Sequence, residues 1–293
     1  MGPRLLIIGA TGFVGSRWTL AARKQFDVYG GARKPSGERG SVAIDITDPA
    51  SVAAAFEQAR PDFVTHLAAL SDIDRCERER ALAEQINYAG AVHVAEACAR
   101  HGARLLYTST DAVFDGTKHT YYEHDPPTPV NWYGETKARA ERAIAERLPS
   151  AAIVRLSLVL GTSALPGGNS YLQKVAGNLK AAQEISTPTF EFRNPIDVGT
   201  LCDFFLELTP RRDATGIFHV GASDKMSRYD LARAIAEHLG YNPALIVAED
   251  APLPGRAPRG RDDFLVTDRV RQFCRTAVPN CRQVIERACH AIA

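Results

Sequence analysis

Six short apolar runs alternate with helical stretches over the first half of the chain. The runs are rich in β-branched and aliphatic residues and cover residues 4–8, 27–31, 42–46, 63–67, 105–109 and 153–158. Stretches with the composition of helices lie at 15–24, 48–59, 81–101 and 133–147. This alternation predicts βαβ units, and therefore an α/β fold with a doubly wound parallel sheet covered by helices on both faces.

The alternation ends after residue 160, where proline and glycine interrupt less regular sequence, as in Pro166-Gly167-Gly168. We therefore expect the parallel sheet to occupy residues 1–160 and a smaller C-terminal α/β lobe to occupy residues 161–293. A helix from Asn194 to Glu207, followed by a strand at 217–220, predicts that roughly residues 195–220 return to the first region.

The composition limits the partners that this chain can have. The 293 residues include 35 Lys and Arg and 34 Asp and Glu, so the net charge is +1 and no overall field favours nucleic acid or an anionic membrane. The N-terminal apolar run is too short for a secretory signal, and no segment approaches the roughly 18 apolar residues of a membrane span. We expect a cytoplasmic protein with neither a nucleic-acid nor a membrane partner.

The cysteines have no spacing that is typical of a metal site or a disulfide framework. They are Cys76, Cys98, Cys202, Cys274, Cys281 and Cys289. No two of them form a C-x-x-C pair, and no nearby histidine lies at metal-ligand spacing from them. The sequence therefore predicts reduced, mostly buried thiols and no metal.

A glycine-rich turn, Gly9-Ala10-Thr11-Gly12-Phe13-Val14-Gly15, joins the first predicted strand to the first predicted helix. Glycine at these points allows a tight turn and a close approach of the backbone to a pyrophosphate, whose charge then lies on unpaired N–H groups of the helix. A strand before the turn and a helix after it are the context that a dinucleotide site requires. We therefore predict a Rossmann-type domain over residues 1–160, in which Gly9, Thr11, Gly12, Phe13 and Val14 bind the cofactor.

The end of the second predicted strand indicates which dinucleotide binds. A protein that binds NAD usually places an acidic residue there to hold the adenosine ribose, but this chain has Gly30-Gly31-Ala32-Arg33-Lys34. Arg33 and Lys34 suit the additional phosphate of NADP, because a guanidinium grips a phosphate through two N–H groups. We expect NADP(H) as the cofactor, with Asp45 and Ile46 beside the adenine.

Tyr133 and Lys137 lie four residues apart, on one face of a predicted helix. A free tyrosine has a pKa near ~10, and a lysine cation beside it stabilises the phenolate and lowers that value. Thr110 ends a predicted strand, and ligands bind at the carboxyl ends of the strands in a parallel sheet. Thr110, Tyr133 and Lys137 are therefore the predicted catalytic centre.

The order of these motifs resembles the extended short-chain dehydrogenase/reductase group, and within it the dTDP-4-dehydrorhamnose reductase family. Besides the glycine turn, the matching segments are Asp45-Ile46-Thr47-Asp48, Pro61-Asp62-Phe63-Val64-Thr65-His66-Leu67-Ala68-Ala69, Ile86-Asn87-Tyr88-Ala89-Gly90, Ser109-Thr110-Asp111-Ala112-Val113-Phe114-Asp115-Gly116 and Tyr133-Gly134-Glu135-Thr136-Lys137. The last two are the most specific. The chain also resembles the regulatory beta subunit of methionine adenosyltransferase, notably over residues 216–239.

The resemblance implies a role for each matching residue. NADPH would deliver hydride to a ketone carbon while Tyr133 donates a proton to the ketone oxygen. Lys137 would tune Tyr133 and bind the nicotinamide ribose, and Thr110 would orient the ketone. The other implied cofactor contacts are Ala68, Ala69, Asn87 and Thr108, and the implied contacts with the diphosphate of a substrate are Arg193 and Arg259.

Three functions are compatible with the sequence. The first is NADPH-dependent reduction of the 4-keto group of a nucleotide-linked deoxysugar. The second is epimerisation of a sugar nucleotide or reduction of another carbonyl compound, and the third is a non-catalytic NADP-binding regulatory subunit. Dehydration is disfavoured, because Thr110-Asp111-Ala112 lacks the glutamate that related dehydratases carry after the threonine. The expected partner is a small nucleotide-sugar substrate, and the sequence leaves homodimerisation open.

Overall fold

A computed structural model gives the fold for residues 2–35, 37, 40–166, 170–252 and 255–290. The strands are β1 Arg4–Ile8, β2 Asp27–Ala32, β3 Ser41–Ala43, β4 Phe63–His66, β5 Arg104–Thr110, β6 Ala152–Leu156, β7 Val159–Leu160, β8 Ile185–Pro188, β9 Phe192–Arg193, β10 Ile196–Asp197, β11 Gly216–Val220, β12 Met226–Ser227 and β13 Ile246–Glu249. The α-helices are α1 Phe13–Ala22, α2 Pro49–Ala59, α3 Ile73–Arg78, α4 Arg80–Ala83, α5 Gly90–His101, α6 Trp132–Arg147, α7 Tyr171–Lys180, α8 Val198–Leu208, α9 Arg228–His238, α10 Asp268–Phe273 and α11 Cys281–Cys289. A π-helical segment, Glu84–Ala89, joins α4 to α5, and 3₁₀ turns cover Asp111–Val113 and Pro243–Leu245.

Seven parallel strands form the central sheet, in the order β11-β6-β5-β4-β1-β2-β3. The chain starts in the middle of this sheet, builds outward to β3, and then returns to the other side of β1 with β4. The strand order therefore reverses between β1 and β4. An open α/β sheet has its binding crevice at such a point, beyond the carboxyl ends of the strands. The predicted Rossmann-type, doubly wound α/β fold is confirmed.

Helices cover both faces of the sheet, because the strands are apolar on both faces and successive residues point to opposite sides. On one face, α2, α5 and α6 pack over a core that includes Leu6, Val64 and Leu105. On the other face, α1, α8 and α10 pack over a core that includes Leu5 and Val154. The strands are thus buried between two helical layers, and only their ends are open to ligands.

The second lobe has a core of its own, in which α7, α9 and α11 pack around Leu172, Leu231 and Val284. Small two-stranded sheets formed by β7 with β10, β9 with β12 and β8 with β13 accompany these helices. By contrast, α8 packs on α1, and β11 forms the edge of the central sheet beside β6. Over the described residues, no helix has the length and apolar character that a membrane crossing needs, and all six cysteines are buried with free thiols.

The strand predicted at 153–158 ends early in the structure. β6 ends at Leu156, and Val159, just beyond the predicted strand, pairs with Ile196 in a separate small sheet. The same pairing delays the helix that was expected to begin at Asn194, because residues 196–197 are extended and the helix begins only with α8. Both differences come from one contact between segments that are distant in sequence, which local patterns do not specify.

Arg104 fastens the returning segment to the sheet. It is the first residue of β5 and is 3% exposed. Its guanidinium donates to the backbone carbonyls of Thr209, Ser150, Leu208 and Ala214 at 3.1, 2.8, 3.2 and 2.7 Å. Two of these carbonyls belong to the C-terminal end of α8, where a cation also interacts favourably with the helix dipole. A single side chain therefore satisfies the buried carbonyls at the junction of β5 with α8.

We predict that Arg104→Met destabilises the protein by about 3 kcal/mol, because methionine leaves several buried carbonyls without a donor. Urea unfolding followed by circular dichroism measures this change. Arg75→Met is the matched control, since Arg75 is half exposed and pairs only with Glu79 on the same helix, and such a pair adds little stability. Equal stability of the two variants would contradict the role of Arg104.

Candidate active site

Two glycines in the turn between β1 and α1 are required by its packing. Gly9 has a φ of +93°, and a Cβ atom there would lie 2.8 Å from the Ala68 nitrogen. A Cβ atom on Gly15 would lie 2.0 Å from the Gly9 carbonyl oxygen, so α1 approaches the turn this closely only because the position is glycine. At Gly12, which is exposed, the nearest atom to a Cβ would be the Gly9 oxygen at 3.3 Å. Gly9 and Gly15 therefore lie on the packed side of the turn, and Gly12 lies on its solvent-exposed side.

The N-terminus of α1 has the properties of an anion site. Gly12 precedes the helix, no described side chain caps it, and the first turn contains no acidic residue. The first N–H groups of the helix, from Phe13 and Val14, have no carbonyl partner within it and carry the positive end of the helix dipole. Thr11 is exposed in the same turn. The residues present therefore fit the pyrophosphate of a dinucleotide, with no carboxylate competing for the site.

Two cations lie where the adenosine end of a dinucleotide would bind. Arg33 and Lys34 directly follow β2 and are exposed. Asp45, past β3, accepts hydrogen bonds from the Thr47 hydroxyl at 2.7 Å and the Thr47 N–H at 3.0 Å. These bonds lower the pKa of Asp45, and the charge of Arg33 adds to the effect, so the carboxyl is an anion at neutral pH. Ile46 is buried beside it. Arg33 and Lys34 thus remain accessible to a phosphate.

Asn87 lies in the π-helical segment that interrupts the helix predicted over residues 81–101. Its side-chain oxygen accepts from the Leu70 N–H at 2.8 Å, while its amide nitrogen donates to the Leu70 carbonyl at 3.1 Å and to Thr136 Oγ1 at 3.3 Å. Asn87 therefore ties the segment after β4, which contains Ala68 and Ala69, to helix α6. Ala68 also lies directly against Gly9. The contacts of Ala68 and Asn87 therefore connect the glycine turn to α6.

Helix α6 begins beside the carboxyl end of β5. Asn131 caps it by accepting a hydrogen bond from the Gly134 N–H at 2.8 Å. A Cβ atom on Gly134 would lie 2.0 Å from the Ala112 carbonyl oxygen, so the first turn of α6 touches the 3₁₀ turn after β5 only because this position is glycine. The contact brings Tyr133 within hydrogen-bonding reach of Thr110. Sequence reasoning misses Gly134, although a glycine in the first turn of a helix, where its propensity is poor, is a signal of close packing.

The pKa of the Tyr133 phenol is raised in this structure. Burial is the main cause and the nearby charge of Asp111 adds to it, whereas the hydrogen bond between Tyr133 and Thr110 lowers the pKa by less. Tyr133 therefore holds its proton at neutral pH. Lys137 is not among the groups that shift this pKa here, so the predicted effect of Lys137 on Tyr133 stays a prediction. The Lys137 ammonium donates to the Thr108 carbonyl at 2.6 Å.

Lys137 is buried beneath the end of β5. Its Nζ lies 2.6 Å from the Thr108 carbonyl oxygen and 4.1 Å from the centre of the Tyr107 ring. Burial lowers the pKa of Lys137 to about 7, while the charge of Glu141 acts to raise it. His66 is buried beside it with a pKa lowered to about 3, first by burial and then by Lys137, and is neutral. The charge of Lys137 at neutral pH is therefore sensitive to its surroundings.

Thr110, the last residue of β5, is hydrogen-bonded to the carboxylate of Asp111. Its hydroxyl donates to Asp111 Oδ1 at 3.1 Å and accepts from the Ala112 N–H at 3.1 Å. The second carboxylate oxygen of Asp111 accepts from Ser157 Oγ at 3.2 Å and lies 3.4 Å from Arg193 Nε. A hydroxyl has one hydrogen, so Thr110 can donate to a ligand only after it turns away from Asp111. Sequence reasoning gives Asp111 no role, since only the fold brings Ser157 and Arg193 to it.

Arg193 lies inside the protein, with 7% of its surface exposed. Its Nη2 is 3.1 Å from Asp263 Oδ2 and donates to the Gly260 carbonyl at 3.0 Å, while Nη1 donates to the Phe192 carbonyl at 2.7 Å. Burial lowers the pKa of Arg193, but Asp263 and Asp111 outweigh this effect and raise it overall. A diphosphate needs an open guanidinium, so this placement does not support the substrate contact predicted for Arg193. The side chain instead links the second lobe to Asp111.

Arg259 lies at the rim of the catalytic centre and is paired with α3. Its two terminal nitrogens are 2.9 and 2.8 Å from the oxygens of Asp74, which also accepts from the Ala257 N–H at 2.8 Å. The hydrogen bond from Arg259 is the largest cause that lowers the pKa of Asp74, to about 2. The same loop accepts a hydrogen bond from the cap of α6, where Asn131 Nδ2 donates to the Pro258 carbonyl at 3.0 Å. Arg259 is therefore close to the helix that carries Tyr133.

The structure brings Thr110, Tyr133 and Lys137 together at the junction of β5 with α6. Asn87 and the segment after β4 connect this centre to the glycine turn. In the part of the chain that the structure describes, no group of three or more His, Cys, Asp and Glu side chains is arranged to hold a metal ion. The arrangement has an anion site, a proton donor and a hydroxyl along one edge of the sheet, which is what carbonyl chemistry with a dinucleotide requires.

Known proteins resemble this chain in sequence over most of its length. A family model described as the RmlD substrate binding domain matches residues 3–293. The dTDP-4-dehydrorhamnose reductase of Mycobacterium tuberculosis is 31% identical over 263 residues, which cover 87% of this chain and 82% of that protein. Methionine adenosyltransferase 2 subunit beta of Xenopus tropicalis is 30% identical over 248 residues, which cover 80% of this chain and 72% of that protein.

A solved structure of a protein of this kind has the same fold. The dTDP-4-dehydrorhamnose reductase of Bacillus anthracis, crystallised in complex with NADP, superposes with a TM-score of 0.87 at 27% sequence identity. The superposition covers 98% of this chain and 99% of that chain. Because the family model also matches almost from end to end, the chain belongs to the RmlD substrate binding domain family.

Proposed function

We propose that this protein is a reductase that uses NADPH to reduce the 4-keto group of a nucleotide-linked deoxysugar. The observation that carries the proposal is the position of the Tyr133 phenol beside the Thr110 hydroxyl at the carboxyl end of β5. A tyrosine holds a proton at neutral pH that it can give to a developing alkoxide; because burial and the charge of Asp111 raise the pKa of Tyr133, a cation near the phenol is needed for it to give that proton readily.

Different residues at the carboxyl ends of the strands would bind the cofactor, orient the ketone and transfer the proton. NADPH, when bound, supplies the hydride. The N-terminus of α1 beside Gly12 would hold its pyrophosphate, and Arg33 and Lys34 would hold its 2′-phosphate. Thr110 would turn its hydroxyl from Asp111 to the ketone oxygen and so orient it. Tyr133 would donate its proton to that oxygen.

Lys137 would act after this proton transfer. The phenolate left on Tyr133 lies near the carboxylate of Asp111, and two like charges at short distance disfavour each other. A nearby ammonium compensates for this effect, and we propose that Lys137 provides it while hydrogen-bonding the nicotinamide ribose. Asn87 would keep Ala68 and Ala69 in the wall of the cofactor site through its two hydrogen bonds to Leu70.

The proposed substrate class is supported by two observations. Relatives with the same fold are named dTDP-4-dehydrorhamnose reductases. Arg259, beside the cap of α6, provides a guanidinium that suits the diphosphate of a nucleotide sugar. In this proposal Arg259 would exchange Asp74 for the diphosphate. Arg193 would contribute indirectly by holding Asp111.

A second candidate function is that of a regulatory NADP-binding subunit, which the similarity to methionine adenosyltransferase 2 subunit beta favours. Both candidates bind the cofactor, so cofactor binding does not separate them. They differ in turnover. A protonated phenol and a hydroxyl placed together at the end of β5 favour the enzyme, since a subunit without catalysis has no need of a proton donor.

We predict that Tyr133→Phe lowers the rate of NADPH oxidation by at least about 100-fold, because the ketone oxygen loses its proton donor. The assay follows NADPH oxidation with a dTDP-4-keto-6-deoxyhexose generated in situ, with NADH as a comparison. NADPH binding should persist in the variant. Tyr122→Phe is the matched control, because Tyr122 is 45% exposed and lies outside the proposed site.

The wild-type protein gives the decisive comparison. Tight NADPH binding without turnover of this substrate would contradict the proposed reductase and favour the regulatory subunit or another carbonyl substrate. A dinucleotide that stays bound through purification, with interconversion of sugar nucleotides and no net NADPH oxidation, would favour an epimerase, which regenerates its own cofactor.

We predict that the double substitution Arg33→Ala and Lys34→Ala weakens NADPH binding by about 10- to 100-fold and leaves NADH binding nearly unchanged. The reason is that only NADPH carries the 2′-phosphate. Titration of nicotinamide fluorescence measures both affinities. Arg23→Ala is the matched control, since Arg23 is an exposed cation at the C-terminal end of α1. An equal loss for the two dinucleotides would show that these cations do not recognise the 2′-phosphate.

A further inference from the structure

Glu141 lies on the catalytic face of α6, one helical turn beyond Lys137. Positions 133, 137 and 141 are each four residues apart, so their side chains follow one stripe of the helix. Glu141 is 3% exposed, and its partner Arg155 on β6 is 1% exposed. Arg155 Nε lies 3.0 and 3.2 Å from the two carboxylate oxygens, and Nη2 lies 2.7 Å from Oε2. The pair is a fully buried, forked contact between the helix and the sheet.

Arg155 is held from two further sides. The centre of the Phe114 ring lies 4.9 Å from its guanidinium carbon, and its Nη1 lies 3.4 Å from His219 Nε2. His219 is the register partner of Arg155 in the pairing of β6 with β11. Its pKa is lowered to about 3, chiefly by burial, so the ring is neutral. Glu141 is therefore the anion that Arg155 contacts in the described residues.

Stability alone does not explain a buried ion pair at this position. Removing two charges from water costs free energy, and well-packed apolar side chains of similar volume are often equally or more stabilising. Helix α6 already packs on the sheet through Ala140 and Ile144, which are both fully buried. The helix therefore has an apolar contact that holds it in place, and the location of the ion pair beside Lys137 indicates a different role.

Three titratable groups near Lys137 are neutral at pH 7. His66 on β4 has a pKa far below 7, and Tyr107 on β5 has a pKa well above its ordinary value because it is buried. Tyr133, on α6, is also protonated. Burial lowers the pKa of Lys137 to about 7, and Glu141 is the carboxylate whose charge counteracts that effect.

We propose that Glu141, held by Arg155, is a positioning residue that favours the ammonium form of Lys137, the form that binds the nicotinamide ribose and stabilises the Tyr133 phenolate. The inference rests on the proposed use of NADPH, but its first consequence concerns cofactor binding and needs no sugar substrate. Arg155 is essential to it, because a carboxylate buried without a cation takes up a proton and loses its charge.

The test measures NADPH affinity by nicotinamide fluorescence from about pH 5.5 to about pH 8. It compares the wild type with Glu141→Gln and with the double variant Glu141→Leu and Arg155→Met, which leaves no uncompensated charge. Toward pH 5.5 the ammonium fraction of Lys137 rises in all three proteins, so we expect their affinities to converge at the acid end of the range. Near pH 8 we expect the double variant to bind about tenfold more weakly, since each unit by which the pKa of Lys137 falls corresponds to a tenfold change.

Glu141→Gln should lose more affinity near pH 8 than the double variant, because the charge of Arg155 then remains near Lys137 without compensation. Glu146→Gln is the matched control, since Glu146 is an exposed glutamate on the same helix. An affinity loss of the same size at every pH would overturn the proposal, because it indicates a packing defect. Wild-type affinity of the double variant over the whole range would overturn it as well.

The double variant decides the question even if Glu141→Gln fails to fold, and thermal unfolding establishes which variants are folded. Because the assay contains no sugar, an inactive reductase would leave this result intact. The failure of the proposed function and the failure of this inference are therefore separate outcomes.

Discussion

The contact between α6 and the end of β5 is the constraint on which the site depends. Gly134 lets the first turn of the helix touch the backbone that follows β5, and Lys137, one turn later, reaches the Thr108 carbonyl at 2.6 Å. Both contacts are made to backbone atoms, which have little freedom to move in a buried parallel sheet. The positions of Tyr133 and Thr110 relative to one another therefore follow from the packing of two rigid elements.

Buried arginines connect the second lobe to this contact. Arg193 extends from β9 to Asp111 beneath Thr110, and Arg259 pairs with Asp74 next to the cap of α6. Removing one partner from the buried pairs of Arg193 leaves a charge without compensation, which is strongly destabilising. These pairs therefore fix the segments of the second lobe against the catalytic centre. Asp111 also influences the chemistry directly, because its charge raises the pKa of Tyr133.

Local sequence patterns were sufficient to predict the fold and to select the residues that meet at the end of β5. The alternation of apolar runs and helical stretches depends on the next few residues, and so does the glycine turn after β1. The surroundings of the arginines could not be predicted from local sequence patterns. Arg193 and Arg259 look alike in sequence, but Arg193 is buried between Asp111 and Asp263 while Arg259 lies at the rim. Which way a long side chain points depends on partners that are distant along the chain.

The sequence by itself determined the alternation of strands and helices in the first half of the chain, the turn that can hold a pyrophosphate, and the spacing that places Tyr133 and Lys137 on one helical face. These properties follow from backbone geometry and periodicity, which act between near neighbours in the chain. Only the tertiary structure decided the pKa shifts: the pKa of Tyr133 is raised, and that of Lys137 is lowered by burial to about 7 against the charge of Glu141. Desolvation and Coulomb interactions act through space, so their outcome depends on which groups the fold brings together.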